Sequence, residues 1–194
     1  MDIFLNFDYS ILDFIANNIR NEFLDPVMAA VSQFSDKGIG WVIIALILLV
    51  PKKTRPAAVT ALAAMTFALL FGEFAIKSIV ARPRPFVTYE SFHSAAMPFT
   101  LNTGEASGFS FPSGHTGASF AFAASMYKVN KKVGVIATVA AAIVGFSRLY
   151  NYVHFPTDVI AGMIFGIISA MIFIFIFNKF GVDDKLRRIG RKKV

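Results

Sequence analysis

The chain contains no cysteine, which excludes a disulfide framework, a cysteine-based zinc site and a thiol nucleophile. It is also poor in charge: 16% of its 194 residues are Asp, Glu, Lys or Arg, against about 25% in soluble domains. Acidic side chains are the scarcer kind, twelve against nineteen basic ones, leaving a net charge of +7. No basic run opens the chain, which argues against a cleavable signal peptide. Internal repeats and low-complexity tracts are absent too. What is abundant is apolar: 56% of residues, with twenty-two Phe. A soluble chain of this length would still expose roughly 30% of its unfolded surface, so lipid is the better solvent for such a composition.

The expected fold class is an all-α polytopic bundle forming a single integral-membrane domain over residues 1–194. Apolar stretches run from Gly38 to Val50, Ala57 to Ile76, Val133 to Phe146 and Ile160 to Phe177. The second and the last approach the ~20 residues that cross a bilayer. A fifth, shorter stretch from about Ser113 to Tyr127 is built of Ala, Phe, Gly, Ser and Met, a composition suited to close helix contact inside a bundle. Asp36, Lys37 and Gly38 interrupt a possible extension of the first stretch back toward Pro26. In residues 1–25, Ile3, Phe4, Phe7, Ile11, Leu12 and Phe14 are interleaved with Asp2, Asp8, Asp13 and Asn17. That pattern predicts an amphipathic segment in the membrane interface rather than a span. Only Phe86 to Phe111 is a loop long enough to suggest function.

Lys and Arg set the orientation. Thirteen of the nineteen lie at Lys52, Lys53, Arg55, Lys128, Lys131, Lys132 and in the tail 179–194. With five spans and the N-terminus outside, all thirteen share one face, which the positive-inside rule makes cytoplasmic. The other six, Arg20, Lys37, Lys77, Arg82, Arg84 and Arg148, fall on the opposite face. The tail reads as a topology and headgroup anchor. Nucleic-acid binding is not expected, because no aromatics are interleaved there to stack on bases.

Three clusters carry chemistry on that outer face: Lys77 to Pro85 after the second span, Pro112 to His115 before the third, and Ser147 to Asp158 between the fourth and fifth. Each suits part of a phosphate site. Lys77, Arg84 and Arg148 supply a point charge and two planar forks. Ser113 and Gly114 suit the start of a helix whose free N–H groups accept an anion, Ser as N-cap and Gly allowing close approach. His154 and Asp158 are four residues apart, hence on one face if helical, with Pro156 suited to a first turn. Asp158 can then hold one imidazole nitrogen while the other faces phosphorus, as for a base or nucleophile.

These residues resemble the signature of the membrane branch of the type 2 phosphatidic acid phosphatase superfamily. Its three parts read K-x-x-x-x-x-x-R-P, P-S-G-H and S-R-x-x-x-x-x-H-x-x-x-D. The sequence matches all eleven fixed positions, from Lys77 to Asp158. The members it looks most like are small bacterial lipid phosphatases acting on undecaprenyl diphosphate, phosphatidylglycerophosphate or phosphatidate. Six-span relatives carry a first span that is missing here, which leaves six spans as an alternative. The resemblance implies a phosphoryl transfer without metal or other cofactor. His154 would attack phosphorus, Asp158 would orient it, and His115 would protonate the leaving oxygen and then activate water. Lys77, Arg84, Ser113, Gly114 and Arg148 would hold the non-bridging oxygens. Ser147 would either position Arg148 or touch phosphate.

His115, His154 and Asp158 are also zinc-ligand types, but three nearby cations oppose a divalent metal. His93 reads as a surface or interfacial histidine, Glu73 as the i to i+4 partner of Lys77, and Arg82, Glu90 and Glu105 as loop charges or substrate contacts, with loop charges favoured. Competing functions are a lipid phosphotransferase with the same site and an inactive lipid-binding protein. The partners implied are a lipid phosphate or diphosphate and the bilayer; oligomeric state is not legible. In the otherwise cysteine-free chain, Thr103→Cys is expected to react with an impermeant maleimide in intact cells while Lys131→Cys is protected. The reverse pattern would overturn the orientation.

Overall fold

The computed structural model describes residues 2–189; Arg191, Lys192 and Lys193 of the basic tail lie outside the described residues. Ten α-helices and no strands occur among the described residues. They are α1 (Asp2–Asn18), α2 (Leu24–Phe34), α3 (Ile39–Leu48), α4 (Arg55–Phe71), α5 (Lys77–Val80), α6 (Pro85–His93), α7 (Gly114–Met126), α8 (Lys131–Tyr150), α9 (Pro156–Lys179) and α10 (Val182–Arg188). Three stretches are long and apolar enough to cross a membrane: Arg55–His93, Lys131–Tyr150 and Pro156–Lys179. A fourth qualifies if α2 and α3, bent by 47°, count as one span. The bend falls at Asp36, Lys37 and Gly38, where Lys37 and Gly38 both adopt positive φ.

The bundle is inside-out relative to a soluble one. α4 buries Ala57, Ala58, Ala61, Ala64 and Ala68, while α8 and α9 turn Val135, Ile136, Val139, Ile143, Ile164, Ile168 and Phe175 outward. Burying small residues and exposing large apolar ones is what helices do when lipid replaces water, because association then depends on close packing. The chain is a multi-pass membrane protein.

α7 is the hub. It packs against α9, α4 and α8 and buries ten of its thirteen residues, as expected of a helix without a polar face. Thirteen residues rise only about 20 Å, less than the ~30 Å hydrocarbon core, so α7 stops short and leaves room beyond its N-terminus. Its backbone meets α9 directly. A Cβ built on Gly162 would lie 2.5 Å from the Ser113 carbonyl oxygen, and one on Gly166 would lie 2.2 Å from that of Gly117. Ser119, buried midway, is satisfied by the Trp41 indole N–H at 2.8 Å.

Two expectations change in the structure. The segment after Arg84 is not all loop, since α6 occupies its first part, with Pro85 preset for the first helical position. The N-terminal segment is amphipathic, but α1 does more than lie on a surface. Phe4, Phe7 and Phe14 point outward, whereas Asp8, Tyr9 and Leu12 are fully buried, and α1 packs on α8 and α9.

Gly166→Ala is expected to lower the thermal midpoint in detergent, since overpacking a fixed backbone contact costs about 1–3 kcal/mol. Gly72→Ala, whose Cβ would meet Phe165 at an ordinary 3.8 Å, is expected to change it little. Equal midpoints for the two variants would refute the direct α7–α9 contact.

Candidate active site

A cavity of about 830 Å³ opens beyond the N-terminus of α7. All three sequence clusters reach it: Lys77, Arg84, Gly114, His115, Arg148 and His154 are in its wall. Leu69, Leu70 and Phe74 form an apolar side, and Asn102, Thr103 and Ser107 come from the loop after α6.

Lys77, Arg84 and Arg148 are all buried. A turn of π-helix, Gly72–Ile76, precedes Lys77, which pairs with Glu73 at 2.8 Å as the spacing predicts. The Arg84 fork is largely engaged: Nε donates to the Gly108 carbonyl at 3.0 Å, Nη2 to Ser107 at 2.8 Å and Nη1 to Val153 at 2.8 Å. Its Nη1 also lies 3.3 Å from His154 Nε2. Arg148 Nη1 donates to the Ser32 hydroxyl, while its Nε is buried without a partner.

Ser113 is the N-cap of α7 and Gly114 the first helical residue. The Ser113 hydroxyl takes hydrogen bonds from the Thr116 N–H and, at 2.9 Å, from the Thr116 hydroxyl. Its backbone N–H donates to the Asp158 carbonyl oxygen at 3.0 Å. Ser113 therefore fastens the start of α7 to α9, while Gly114 and His115 reach the cavity. Ser147 is buried on α8 next to Arg148. Its hydroxyl is fully buried and donates back to the Val144 carbonyl at 2.7 Å, the usual outlet for a serine inside a helix.

His154 is not helical. It lies in the turn before α9, whose N-cap is Phe155, and still faces Asp158, with Nδ1 3.6 Å from Oδ2. That is longer than a hydrogen bond, and Nδ1 has no partner of good geometry. The Asp158 oxygens are otherwise engaged, Oδ2 by the Phe155 N–H at 2.8 Å and Oδ1 by Arg82 at 2.7 Å. Burial, then Arg148, Arg84 and Lys77, push the His154 imidazole well below its ordinary pKa, so it is neutral. No group of three His, Asp or Glu side chains suited to a metal ion occurs among the described residues.

Arg82 and Asp8 escaped the sequence reading. Arg82 is no loop charge: it bridges Asp158 and Asp8, the latter at 2.6 Å. The available signal was an acidic residue set in the apolar stripe Leu5, Tyr9, Leu12 and Ala16 of α1. Glu105 is exposed in the loop after α6, as expected of a loop charge, whereas Glu90 is exposed on α6 itself. His93 is half-buried, stacked on Tyr89 and 2.9 Å from Asp13, so it packs α1 against α6.

Residues 57–181, more than half of the chain and including all three clusters, match the PAP2 superfamily. The chain belongs to this superfamily. It is similar to the undecaprenyl-diphosphatase of Sulfolobus acidocaldarius, 28% identical over 144 residues that cover 74% of this chain and 66% of that protein. The undecaprenyl-diphosphatase BcrC of Bacillus subtilis is 26% identical over 158 residues, 79% of this chain and 75% of the relative. A crystal structure of a transmembrane PAP2 type phosphatidylglycerolphosphate phosphatase from Bacillus subtilis superposes with a TM-score of 0.71 at 25% identity, covering 92% of this chain and 88% of that one. By name, two of these relatives are undecaprenyl-diphosphatases and the third is a transmembrane phosphatidylglycerolphosphate phosphatase.

The buried His154 has a consequence for stability. An unfolded imidazole takes up a proton below about pH 6.5, whereas the buried one stays neutral. Because the unfolded state then binds more protons, stability is lost as pH falls below that value. The thermal midpoint in detergent is expected to drop between about pH 7.5 and pH 5.5, and to drop less in His154→Asn. An identical drop in the variant would show that His154 is accessible to protons in the folded protein.

Proposed function

We propose that the protein hydrolyses the terminal phosphate of a membrane lipid phosphate, with undecaprenyl diphosphate favoured and phosphatidylglycerophosphate or phosphatidate next. The carrying observation is His154, neutral, with its Nε2 held 3.3 Å from Arg84 in a cavity that also contains Lys77, Arg148 and His115. A neutral imidazole has a free electron pair, and the cations attract the phosphoryl oxygens to it. The unpartnered Arg148 Nε favours such an oxygen, because a buried donor left alone is costly. The apolar side formed by Leu69, Leu70 and Phe74 suits a lipid chain better than a soluble ester.

In the first step the Nε2 electron pair forms a bond to phosphorus and the bond to the lipid oxygen breaks. His115, protonated once the phosphate's negative charge offsets the surrounding cations, gives its proton to that oxygen. The imidazole becomes cationic, and Asp158, 3.6 Å from Nδ1 in the resting geometry, stabilises it by closing to a hydrogen bond. In the second step water attacks phosphorus, His115 takes its proton, and inorganic phosphate leaves as His154 is restored. Lys77, Arg84 and Arg148 hold the non-bridging oxygens throughout, with the free N–H groups at the start of α7 as further donors. Ser113 contributes through its cap.

The chain works in this reading as one catalytic unit with five spans, the first built on α3 after the bend at Lys37 and the others on α4, α7, α8 and α9. The short α7 crosses only because α4, α8 and α9 surround it. The site faces outward and the basic tail faces the cytoplasm, as the distribution of Lys and Arg requires.

Phosphate release from undecaprenyl diphosphate, phosphatidylglycerophosphate, phosphatidate and a soluble phosphomonoester tests the substrate class, with the lipids preferred. Rapid quench with labelled substrate tests the chemistry. His154→Ala is expected to form no phosphoenzyme and to lose activity by on the order of 10⁴ or more. His115→Ala is expected to accumulate acid-labile phosphohistidine from an activated aryl phosphate, because the water step then lacks its base. Label retained on another residue in His154→Ala would refute the nucleophile.

A further inference from the structure

We propose that Asp8 on α1, acting through Arg82, is a positioning residue for the Asp158–His154 pair; this rests on the role given above to His154. Asp158 and Asp8 are both fully buried, and one guanidinium serves both. Arg82 Nη1 donates to Asp158 Oδ1 at 2.7 Å and to the Thr157 hydroxyl at 2.7 Å, while Nη2 donates to Asp8 Oδ2 at 2.6 Å. Thr157 closes the ring: its backbone N–H reaches Asp8 Oδ1 at 3.0 Å and its hydroxyl donates to Asp8 Oδ2 at 2.7 Å. The Arg82 guanidinium lies 3.9 Å above the ring of Phe155, the residue after His154.

The charge count gives this arrangement its meaning. Two carboxylates and one guanidinium sum to one negative charge, buried without a second cation inside the group. Burying an excess charge is costly for folding alone, and a neutral amide at position 8 would still hold α1 by accepting the Thr157 backbone N–H. The excess becomes useful when a positive charge arises beside Asp158, as it does when His154 binds phosphorus. Were Asp8 absent, Arg82 would turn its whole fork onto Asp158, and the carboxylate would have less charge to offer the imidazole. Dividing the fork keeps Asp158 available and holds it in one rotamer. It also opposes Lys77, Arg84 and Arg148, which draw electron density from His154. The N-terminal helix thereby completes the site from outside the three-part signature.

The test uses the full chain in detergent, with rapid-quench phosphoenzyme formation from labelled lipid substrate. Burst amplitude counts folded sites, and the rate constant reports chemistry. Asp8→Asn preserves size and an acceptor for the Thr157 N–H, but removes the charge and puts an amide donor where Arg82 Nη2 now finds an oxygen. It is expected to slow phosphoenzyme formation by on the order of 10- to 100-fold at full amplitude and unchanged KM. Inhibition by orthovanadate, which bonds to the nucleophile, should weaken in parallel, while inhibition by inorganic phosphate should not. Arg82→Lys, whose single ammonium cannot bridge two carboxylates, is the second variant and should show the same rate loss. Tyr9→Phe removes α1 bonds to Pro85 and Thr88 without touching charge, and should leave the rate near wild type. A wild-type rate in Asp8→Asn or Arg82→Lys, or an equal loss in Tyr9→Phe, overturns the proposal. Phosphoenzyme persisting in His154→Ala would instead overturn the underlying mechanism.

Discussion

The direct contact between the backbones of α7 and α9 is the constraint on which the site depends. Gly162 and Gly166 present no side chain to α7, so the Ser113 and Gly117 carbonyls approach as closely as glycine allows. The bond from the Ser113 N–H to the Asp158 carbonyl oxygen continues this contact to the helix ends. His115 is the second residue of α7 and His154 lies just before α9. Their separation is therefore set by the α7–α9 contact and by the short turn before α9, which the Phe155 N–H ties to Asp158. Sites built this way hold geometry better than sites on loops.

Lipid as the surrounding solvent shapes the rest. With no hydrophobic force acting between helices inside a bilayer, association rests on close contact, hence the alanines of α4 and the glycines of α9. A phosphate site in such a bundle must bring its own polarity. It does so where the short α7 ends, gathering Lys77, Arg84 and Arg148 around His154. Burial and these cations together keep the imidazole neutral, which is the state that can act as a nucleophile. The same charges that would bind a phosphoryl group thus also set the protonation of the residue that would attack it.

The relatives extend this picture without replacing it. Two undecaprenyl-diphosphatases and a phosphatidylglycerolphosphate phosphatase share its sequence or fold, and all three act, by name, on a lipid phosphate. The matched stretches cover two thirds to nine tenths of those proteins. The loop after α6 and the apolar side of the cavity lie outside the shared signature.

From the sequence alone came the helical membrane character, the three clusters and their meeting at one cavity, because composition, span order and motif spacing are local quantities that add along a chain. The ion pair of Glu73 with Lys77 was readable for the same reason, four residues on one helix. The tertiary structure decided what depends on packing between distant segments. The Ser113 N–H became a fastening to α9 because the Asp158 carbonyl lies against it, and the Ser147 hydroxyl turned back to the Val144 carbonyl. His154 left the helix because Phe155 caps it. Asp8 and Arg82 meet although 74 residues separate them. No periodicity encodes such an encounter, since whether a buried carboxylate finds its cation depends on which helix faces lie against each other once the bundle has closed.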